Sequence, residues 1–592
     1  MATETIPRKV LTNGDKLGAA PAYHTKQADG TWRQVSWRQY ADEVRQAAKA
    51  LIALGLEPLQ PVAILGFNRP EWVIFDVAAM AAGGAPAGIY TTSSPDEVAY
   101  VLNHSEATVV LVENEHQWKK IEARRDALTH LRHVVVMQGA PVIDDKLVMS
   151  WDEFMAKASE VDDATLEQRL DALEPGGPAT LIYTSGTTGP PKAVMLTHDN
   201  LTWTAGQAIP VIDLGPSDRI LSYLPLSHIA EQQFTIAAPA LSGAQVFYAE
   251  SIDKLADNLK EVRPTIFFAV PRVWEKFHAG ISEKLSEAHG AKKAIADRAQ
   301  EVGKKVNSAR GMGEPVRRFE AMQYGLFDRL VYSKIREAIG LGDGKFLVTA
   351  AAPISKELLE FFAGLGIVIY EVYGQSEDTG PTTISVPGRV QFGSVGPVFP
   401  GVEMKIADDG EILVRGRNVF LGYYKDQEAT DATLIDGWLH SGDLGEIDED
   451  GFLWITGRKK DLIITAGGKN VAPKNIEGSI KNHSLVSEVV VIGDRRKYLT
   501  CLVTLDVDAT ARFQEAQGSS GDPTADPALL AEIQAAIDQV NEGLARVEQL
   551  KKFTVLPREL SIEGGELTPT LKVKRNKVAE NFAAEIEAMY AE

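Results

Sequence analysis

Residues 61–138 alternate between short apolar runs and amphipathic runs, a pattern typical of strands followed by helices. The apolar run 61–68 predicts a strand, and 70–84 predicts a packed helix. Ser94 followed by Pro95 is a helix start signal, so a helix is expected over 95–104. The alternation continues with a strand over 107–113, a helix over 115–128 and a strand over 131–138. This order predicts βαβ units and a parallel sheet covered by helices.

The pattern repeats once and then changes character. Residues 256–277 again follow the order helix, strand, helix, which predicts a second wound sheet. After about Gly393 the apolar runs shorten and glycine becomes frequent, as in 410–416 and 451–457. Such pieces are typical of a barrel or a meander. A new alternation begins after Lys460, which we take as the start of a smaller domain.

Composition supports a globular chain of several domains. Its 592 residues exceed what one hydrophobic core usually organises, and 44% hydrophobic with 24% charged residues excludes a coiled coil, collagen or general disorder. The net charge of −20 disfavours nucleic acid, which we do not expect as a partner. Cys501 is the single cysteine, so no internal disulfide can form, and its apolar neighbours place it in a core.

The sequence shows no sign of secretion or of a membrane span. The N-terminal residues lack the apolar core of a signal peptide. The best span candidate, 72–90, contains Asp76 and Pro86, whereas a spanning helix needs about 20 mostly apolar residues. We therefore expect a cytoplasmic protein, a monomer or a homodimer, with at most peripheral membrane contact. No basic amphipathic helix is evident.

The most informative segment is the polar run within residues 181–198. Its glycine and hydroxyl residues are Ser185, Gly186, Thr187, Thr188 and Gly189. Glycines let backbone N–H groups approach anionic oxygens, the hydroxyls donate further hydrogen bonds, and Lys192 adds a positive charge. The lysine spacing differs from that of a Walker loop, and no Ser or Thr follows Lys192. The run therefore predicts a polyphosphate-binding loop of another kind.

The run TSGTTGPPK resembles the signature loop of the AMP-forming acyl-CoA synthetase superfamily, and later motifs follow in the family's order. These are TAAAPIS from Thr349, IYEVYGQSEDTG from Ile369, HSGDLGEIDEDG from His440 and GRKKD from Gly457. The resemblance implies an α/β fold with a large N-terminal domain, 1–459, of two doubly wound sheets plus a distorted β-barrel. A smaller mobile α+β domain, 460–592, would carry the catalytic lysine.

The resemblance also implies roles for individual residues. Tyr373 would stack on adenine, Ser376 would reach the α-phosphate, and Glu377 with Thr184 would bind magnesium and take part in catalysis. Asp443 would accept hydrogen bonds from both ribose hydroxyls. The other implied nucleotide-binding residues are Ser185, Gly186, Thr187, Thr188, Gly189, Lys192, Ala351, Gln375 and Arg458. Oxygen ligands suit a hard cation such as Mg²⁺.

The C-terminal motif selects the catalytic lysine. The run KVKR resembles the family's Lys-Ile-x-Arg and so points to Lys572, with Lys574 as the nearest alternative. Leu571 stands where the family often has glycine. The resemblance further implies that the smaller domain swings about a hinge at Lys460. This swing would bring the small residues Gly467 and Gly468 to the pantetheine channel.

Three further segments resemble members that activate medium or long fatty acids, especially those of the bubblegum type. They surround His228, surround Arg272, and begin at Gly88. His228 either lines the acyl pocket or has a structural role, and the sequence leaves both open. The implied reaction is fatty acid activation to acyl adenylate and transfer to coenzyme A. ATP and Mg²⁺ are the implied cofactors, with the fatty acid and coenzyme A as substrates.

Other functions remain open at this level. An enzyme of this family could load the acyl group onto a carrier-protein thiol instead of free coenzyme A. A noncatalytic sensor of acyl nucleotides is a second alternative. A hydrolase is disfavoured, because GQSED has Asp378 where a nucleophile elbow needs its final glycine.

Overall fold

A computed structural model describes residues 5–184, 190–467, 469–568 and 571–591. These residues form two eight-stranded sheets, a five-stranded antiparallel sheet and a C-terminal unit of short sheets and helices. The expected fold class is confirmed: a large α/β N-terminal part of several sheets precedes a smaller C-terminal α+β part.

The first eight-stranded sheet is built from the predicted βαβ units. Its strands in spatial order are Gly422–Tyr423, Lys192–Thr197, Pro178–Thr184, Ala85–Ile89, Pro61–Leu65, Val109–Val112, His133–Val136 and Val148–Ser150. The strand Pro61–Leu65 pairs in parallel with both neighbours and is buried throughout, as expected of a sheet covered on both faces. Thr184 lies opposite Lys192 in an antiparallel pair.

The second eight-stranded sheet contains the second wound segment. Its strands in spatial order are Thr383–Ile384, Ile369–Tyr373, Phe346–Thr349, Ile266–Ala269, Arg219–Ser222, Gln245–Tyr248, Pro21–Lys26 and Trp32–Ser36. Its six inner strands pair in parallel, and the strand at each edge of the sheet pairs antiparallel with its neighbour. The N-terminal hairpin at one end is an addition that the sequence pattern did not predict.

Helices cover both sheets. The N-terminal α-helices are Ile6–Lys16, Trp37–Ala53, Pro70–Ala81, Pro95–Ser105, Glu115–Glu122, Trp151–Ala156, Asp163–Asp171, His198–Ile212, Ile229–Gln232, Ala238–Ser242, Leu255–Val262, Pro271–Ser286, Ala291–Gly311, Arg318–Phe327, Ser333–Ala338, Lys356–Gly364 and Gln427–Thr433. The predicted start at Ser94 is confirmed, because its side chain and that of Glu97 form a reciprocal capping box. The helix expected over 115–128 ends earlier, and a 3₁₀ turn over Arg125–Ala127 follows.

The antiparallel sheet occupies the place where a distorted barrel was expected. Its strands are Glu403–Ile406, Glu411–Arg415, Trp438–Ile447, Leu434–Ile435 and Leu453–Arg458. The long central strand Trp438–Ile447 pairs with three others. This pairing places Asp443 directly opposite Arg458.

The C-terminal part has its own hydrophobic core. Its strands are Ile463–Ile464, Asn470–Val471, Val486–Ile492, Leu499–Leu505 and Leu550–Val555, and its α-helices are Pro473–Lys481, Val507–Gln517, Pro527–Glu542, Arg575–Asn581 and Ala583–Tyr590. Cys501 is fully buried in this core, as predicted, and burial raises the pKa of its thiol. Within the described ranges, every helix is too short or too polar to cross a bilayer.

Candidate active site

The candidate site lies where strands of the two large sheets end. Thr184 is the last residue of its strand in the first sheet, and Tyr373 is the last residue of its strand in the second. Ala351 follows the end of the adjacent strand Phe346–Thr349 and has a left-handed backbone with φ of 73°. In α/β sheets the carboxyl ends of strands are the usual place for ligands.

A tight turn after Tyr373 presents Glu377. A Cβ on Gly374 would stand 1.6 Å from the carbonyl oxygen of Gly380, so only glycine fits there. The Gln375 backbone N–H donates to Asp378 Oδ1 at 2.8 Å, and the Thr382 hydroxyl donates to Asp378 Oδ2. Burial raises the pKa of Asp378 to about 8 despite these hydrogen bonds. Asp378 therefore has a structural role in this turn.

Glu377 is connected to Lys192 through Tyr423. The Tyr423 hydroxyl donates to Glu377 Oε1 at 2.7 Å, and Lys192 Nζ lies 4.8 Å from the centre of the Tyr423 ring. Burial, with the nearby Glu377 charge, raises the pKa of Tyr423, so its hydroxyl stays a donor at neutral pH. Lys192 also lies 4.0 Å from Asp426 Oδ2. One tyrosine thus orients the carboxylate and supports the lysine by a cation–π contact.

Asp443 is held by two residues on its two oxygens. The Tyr373 hydroxyl donates to Oδ2 at 2.9 Å, and Arg458 Nε lies 2.8 Å from Oδ1. Burial raises the pKa of Tyr373 well above its ordinary value, with the Asp443 charge adding to the effect. The arrangement brings three of the predicted nucleotide-binding residues, Tyr373, Asp443 and Arg458, into contact.

Glu411 fixes the strand that carries Asp443. Its carboxylate accepts hydrogen bonds from the Gly442 backbone N–H at 2.8 Å and from Lys459 Nζ at 2.7 Å, and His440 Nδ1 lies 2.9 Å away. Burial acts to raise the pKa of Glu411, but these donors outweigh it and lower the pKa. Because Lys459 adjoins Arg458, Glu411 positions both strands of the pair.

Lys572 lies at the same cleft, although it belongs to the C-terminal part. Surrounding protein desolvates its ammonium group, and the positive charges of Arg458 and Lys474 also lower its pKa. The carboxylates of Asp443 and Glu377 act in the opposite direction. Lys572 is an exposed residue that lies close enough to Asp443 and Glu377 for their charges to act on its ammonium group.

The backbone before Lys572 takes a conformation that favours glycine. Leu571 has φ of 60°, and its side chain is 65% exposed. The Thr568 hydroxyl accepts a hydrogen bond from the Lys572 backbone N–H at 3.0 Å. The left-handed backbone at this position explains why the family often has glycine there, whereas this chain has leucine.

His228 lies close enough to Lys572 for the lysine charge to act on its ring. Its ring Nδ1 accepts a hydrogen bond from the Ala230 backbone N–H at 3.2 Å. Burial lowers the pKa of His228 to about 4, with the Lys572 charge contributing, so the ring is neutral at neutral pH. A Cβ on Gly88 would stand 2.7 Å from Ser227 Cα, which shows how closely the first sheet approaches this segment.

The remaining predicted residues divide into two groups. Ser376 is buried behind the turn, Lys460 is exposed in a 3₁₀ turn over Lys459–Asp461, and Gly467 is exposed. Those outside the described residues are Ser185, Gly186, Thr187, Thr188, Gly189 and Gly468.

Across the two parts of the chain, Arg272 Nη2 lies 3.5 Å from Asp506 Oδ2.

The donor set suits a cation held mainly by substrate oxygens. No group of three or more His, Cys, Asp or Glu side chains in the described part of the chain could hold a metal. Glu377 offers a carboxylate, and Thr184 offers a hydroxyl whose hydrogen bond to the Lys192 carbonyl is long at 3.4 Å. Mg²⁺ is usually held by one or two protein oxygens together with substrate phosphates and water.

The sequence analysis missed three residues at this site. They are Tyr423, Glu411 and Lys474. Tyr423 stands in the run LGYYKD, whose consecutive aromatic residues beside a short polar loop were a signal that could have been followed. Glu411 and Lys474 stand in ordinary strand and helix patterns, so their sequence context carries no comparable signal.

Comparison with protein-family models gives two matches. A model described as AMP-binding enzyme matches residues 12–424. A model described as AMP-binding enzyme C-terminal domain matches residues 460–592.

Curated relatives match over almost the whole chain. The long-chain-fatty-acid–CoA ligase ACSBG2 of Xenopus laevis is 39% identical, with 99% of this chain and 84% of the relative covered. The long-chain-fatty-acid–CoA ligase FadD15 of Mycobacterium bovis is 40% identical, with 95% of this chain and 93% of the relative covered.

Solved structures share the fold at lower identity. The anthranilate CoA ligase AuaEII in complex with anthranoyl-AMP has a TM-score of 0.73 at 22% identity, covering 100% of this chain and 99% of its own. O-succinylbenzoate coenzyme A synthetase from Bacillus subtilis, in complex with ATP and a magnesium ion, has a TM-score of 0.69 at 21% identity. The coverage is 96% of this chain and 98% of that one.

Proposed function

We propose that this chain, which belongs to the AMP-binding enzyme family, joins a long-chain fatty acid to coenzyme A at the expense of ATP. AMP and pyrophosphate are the other products. Full-length relatives named long-chain-fatty-acid–CoA ligase support this reaction over carrier-protein loading and over a noncatalytic sensor. The single observation that carries the proposal is that Tyr373, Asp443 and Arg458, which the resemblance assigns to one nucleotide, contact one another in the structure.

Each cluster suits one part of ATP. Asp443 has carboxylate oxygens for the ribose hydroxyls, and Tyr373 and Arg458 hold that carboxylate in place. Lys192 supplies positive charge beside the predicted polyphosphate loop, and Lys572 supplies it from the other part of the chain. Anionic phosphates compensate the mutual repulsion of these cations, which explains why such groups can share a cleft.

In the first half-reaction an oxygen of the fatty acid carboxylate attacks the α-phosphorus of ATP. The bond from that phosphorus to the bridging oxygen breaks, and its electron pair leaves with pyrophosphate. Negative charge grows on the α-phosphoryl oxygens and on the leaving group, so a fixed ammonium at Lys572 stabilises the transition state. Thr184 and Glu377 would hold Mg²⁺, which when bound neutralises phosphate charge.

In the second half-reaction the thiol of coenzyme A loses its proton and its sulfur attacks the acyl carbon. The bond between that carbon and the AMP oxygen breaks, giving the thioester. With Lys572 in the cleft, the first half-reaction is favoured. We place the domain boundary at 459/460 and propose that rotation about Lys460 withdraws Lys572 and brings Gly467 to the acceptor.

The neutral ring of His228 suits an acyl-binding role better than a role in binding phosphate. Burial lowers the pKa of His228 to about 4, so the ring carries no positive charge for a phosphate at neutral pH. We therefore assign His228 to the wall of the acyl pocket near the carboxylate. A cytoplasmic location is also our proposal, supported by one buried free thiol.

The test is a panel of short-, medium- and long-chain carboxylic acids, assayed for AMP release with and without coenzyme A. We expect long-chain acids to give steady AMP release with coenzyme A. Without it we expect almost no free AMP and at most about one pyrophosphate per enzyme, because AMP stays within the bound acyl adenylate. A phosphopantetheinylated carrier protein serves as the comparison acceptor. Turnover with the carrier but not with coenzyme A would overturn the assignment, and ADP as product would overturn the chemistry.

A further inference from the structure

An apolar stripe lies on the outer surface of a helical hairpin, in which Ala291–Gly311 packs against Arg318–Phe327 and its π-helical continuation Asp328–Tyr332. Its members are Phe319, Met322, Leu326 and Leu330, whose exposed fractions are 62%, 66%, 55% and 48%. The spacing of three or four residues places them on one face. Large apolar side chains in such a row normally mark a contact surface, since scattered single ones need no explanation.

The opposite side of this segment contacts the preceding helix Ala291–Gly311. The Tyr332 hydroxyl donates to the Ala299 carbonyl at 2.5 Å, and Lys305 Nζ lies 2.7 Å from Glu320 Oε1. Tyr332 is completely buried. Tyr332 thus anchors the end of this segment, and the apolar stripe is exposed.

The segment that contains the apolar stripe is basic, whereas the whole chain is acidic. Residues 291–340 contain 11 Lys or Arg and 6 Asp or Glu, a local net charge of +5 within a chain of −20. Arg318, Arg329 and Lys334 are exposed beside or just beyond the stripe. Among the residues that the structure describes, none of these three has a carboxylate within ion-pair distance. Cationic residues beside an uncovered apolar face fit an anionic partner.

We propose that the apolar stripe and its basic neighbours form a docking surface for an anionic lipid bilayer. The apolar side chains would enter the boundary between headgroups and acyl chains, while Arg318, Arg329 and Lys334 meet lipid phosphates. From sequence alone no basic amphipathic helix was evident here, and the spacing of the stripe also fits a helix packed inside a core. The structure distinguishes the two by the exposure of the stripe.

A second copy of this chain fits the surface less well. Two stripes facing each other would bring two regions of +5 charge together. A stripe packed on another face of a second copy would make an open-ended contact rather than a closed dimer. An anionic bilayer satisfies both the apolar and the basic residues at once.

The experiment is flotation of the full-length protein with vesicles of phosphatidylcholine alone or phosphatidylcholine with phosphatidylglycerol. We expect binding to the mixed vesicles that weakens with salt. Met322→Asp with Leu326→Asp should reduce binding by at least about tenfold. Arg318→Gln with Arg329→Gln should reduce it by about fivefold for each charge removed.

A matched double variant separates the stripe from general charge effects. Val142→Asp with Ile252→Asp adds the same two charges at exposed apolar positions outside the hairpin, and it should bind vesicles like the parent. Thermal unfolding of all variants should stay near the parent, because the altered side chains are exposed. Equal loss in both aspartate variants, or equal binding to both vesicle types, would overturn the proposal. If the parent is a dimer that does not bind vesicles, and Met322→Asp with Leu326→Asp makes it a monomer, the partner of the stripe is a second copy and not a bilayer.

Discussion

Replacing Tyr423 by phenylalanine tests how the site orients Glu377. The variant removes only the hydroxyl that donates to Glu377 Oε1 at 2.7 Å. The ring remains, so the cation–π contact with Lys192, at 4.8 Å from ring centre to Nζ, is kept. Any loss of activity then reports on the hydrogen bond to the carboxylate.

The expected size of the effect follows from the type of bond. A hydrogen bond to a charged group contributes about 1.5–3 kcal/mol, which corresponds to a factor of about 10 to 150 in rate or binding. Because Tyr423 holds the proposed magnesium ligand Glu377, the loss should appear in adenylation and should partly recover at higher Mg²⁺ concentration. Thioester formation from supplied acyl adenylate should change little.

Fatty-acid-dependent exchange of pyrophosphate into ATP measures the first half-reaction, and thioester formation from synthetic acyl adenylate measures the second. Tyr424→Phe is the matched control, because Tyr424 is the adjacent residue and its ring packs near His104 instead of the site. Tyr423→Leu removes the ring as well and should cost more. Equal exchange rates in Tyr423→Phe and the parent, across all Mg²⁺ concentrations, would refute the reasoning.

Three further predictions concern single residues. Lys572→Ala should slow pyrophosphate exchange by about 100-fold to 1,000-fold while sparing thioester formation from acyl adenylate. Lys574→Ala should leave both half-reactions unchanged. Equal loss of both half-reactions in Lys572→Ala would contradict the role of Lys572. Burial lowers the pKa of His198 from 6.5 to about 4, so the unfolded chain binds a proton that the folded chain does not. The contribution of His198 to the free energy of unfolding is present above pH 6.5 and falls by about 3 kcal/mol as pH falls toward 4. In His198→Gln the denaturation midpoint should therefore fall less steeply over that pH range. An unchanged slope would contradict this. Cys501 should react with iodoacetamide only after unfolding, since it is fully buried with a raised pKa.

Local patterns predicted the elements whose information lies within a few residues. The strand at Pro61–Leu65 is apolar throughout, and the helix that Ser94 begins has its capping partner three residues later at Glu97. The hairpin Pro21–Lys26 and Trp32–Ser36 was not predicted as part of the second sheet. Its parallel partner Gln245–Tyr248 lies more than 200 residues away, and no local pattern encodes such a pairing.

The same distinction applies to the site. Motif residues such as Tyr373 and Asp443 could be named from sequence, and the structure brings these two side chains into contact. Tyr423 could not be joined to Glu377, because their contact depends on how Gly422–Tyr423 pairs with Lys192–Thr197. Side chains from separate elements meet only through register and packing, which the sequence pattern does not specify.

The most direct test of the central claim follows the oxygen atoms of the fatty acid. A carboxylate labelled in both oxygens with the heavy isotope is incubated with the enzyme, ATP, Mg²⁺ and coenzyme A, and the products are examined by mass spectrometry. Attack of the carboxylate on the α-phosphorus predicts that one heavy oxygen is transferred to AMP while the other remains in the thioester. Unlabelled AMP, with the heavy oxygen found in inorganic phosphate or pyrophosphate, would contradict the account.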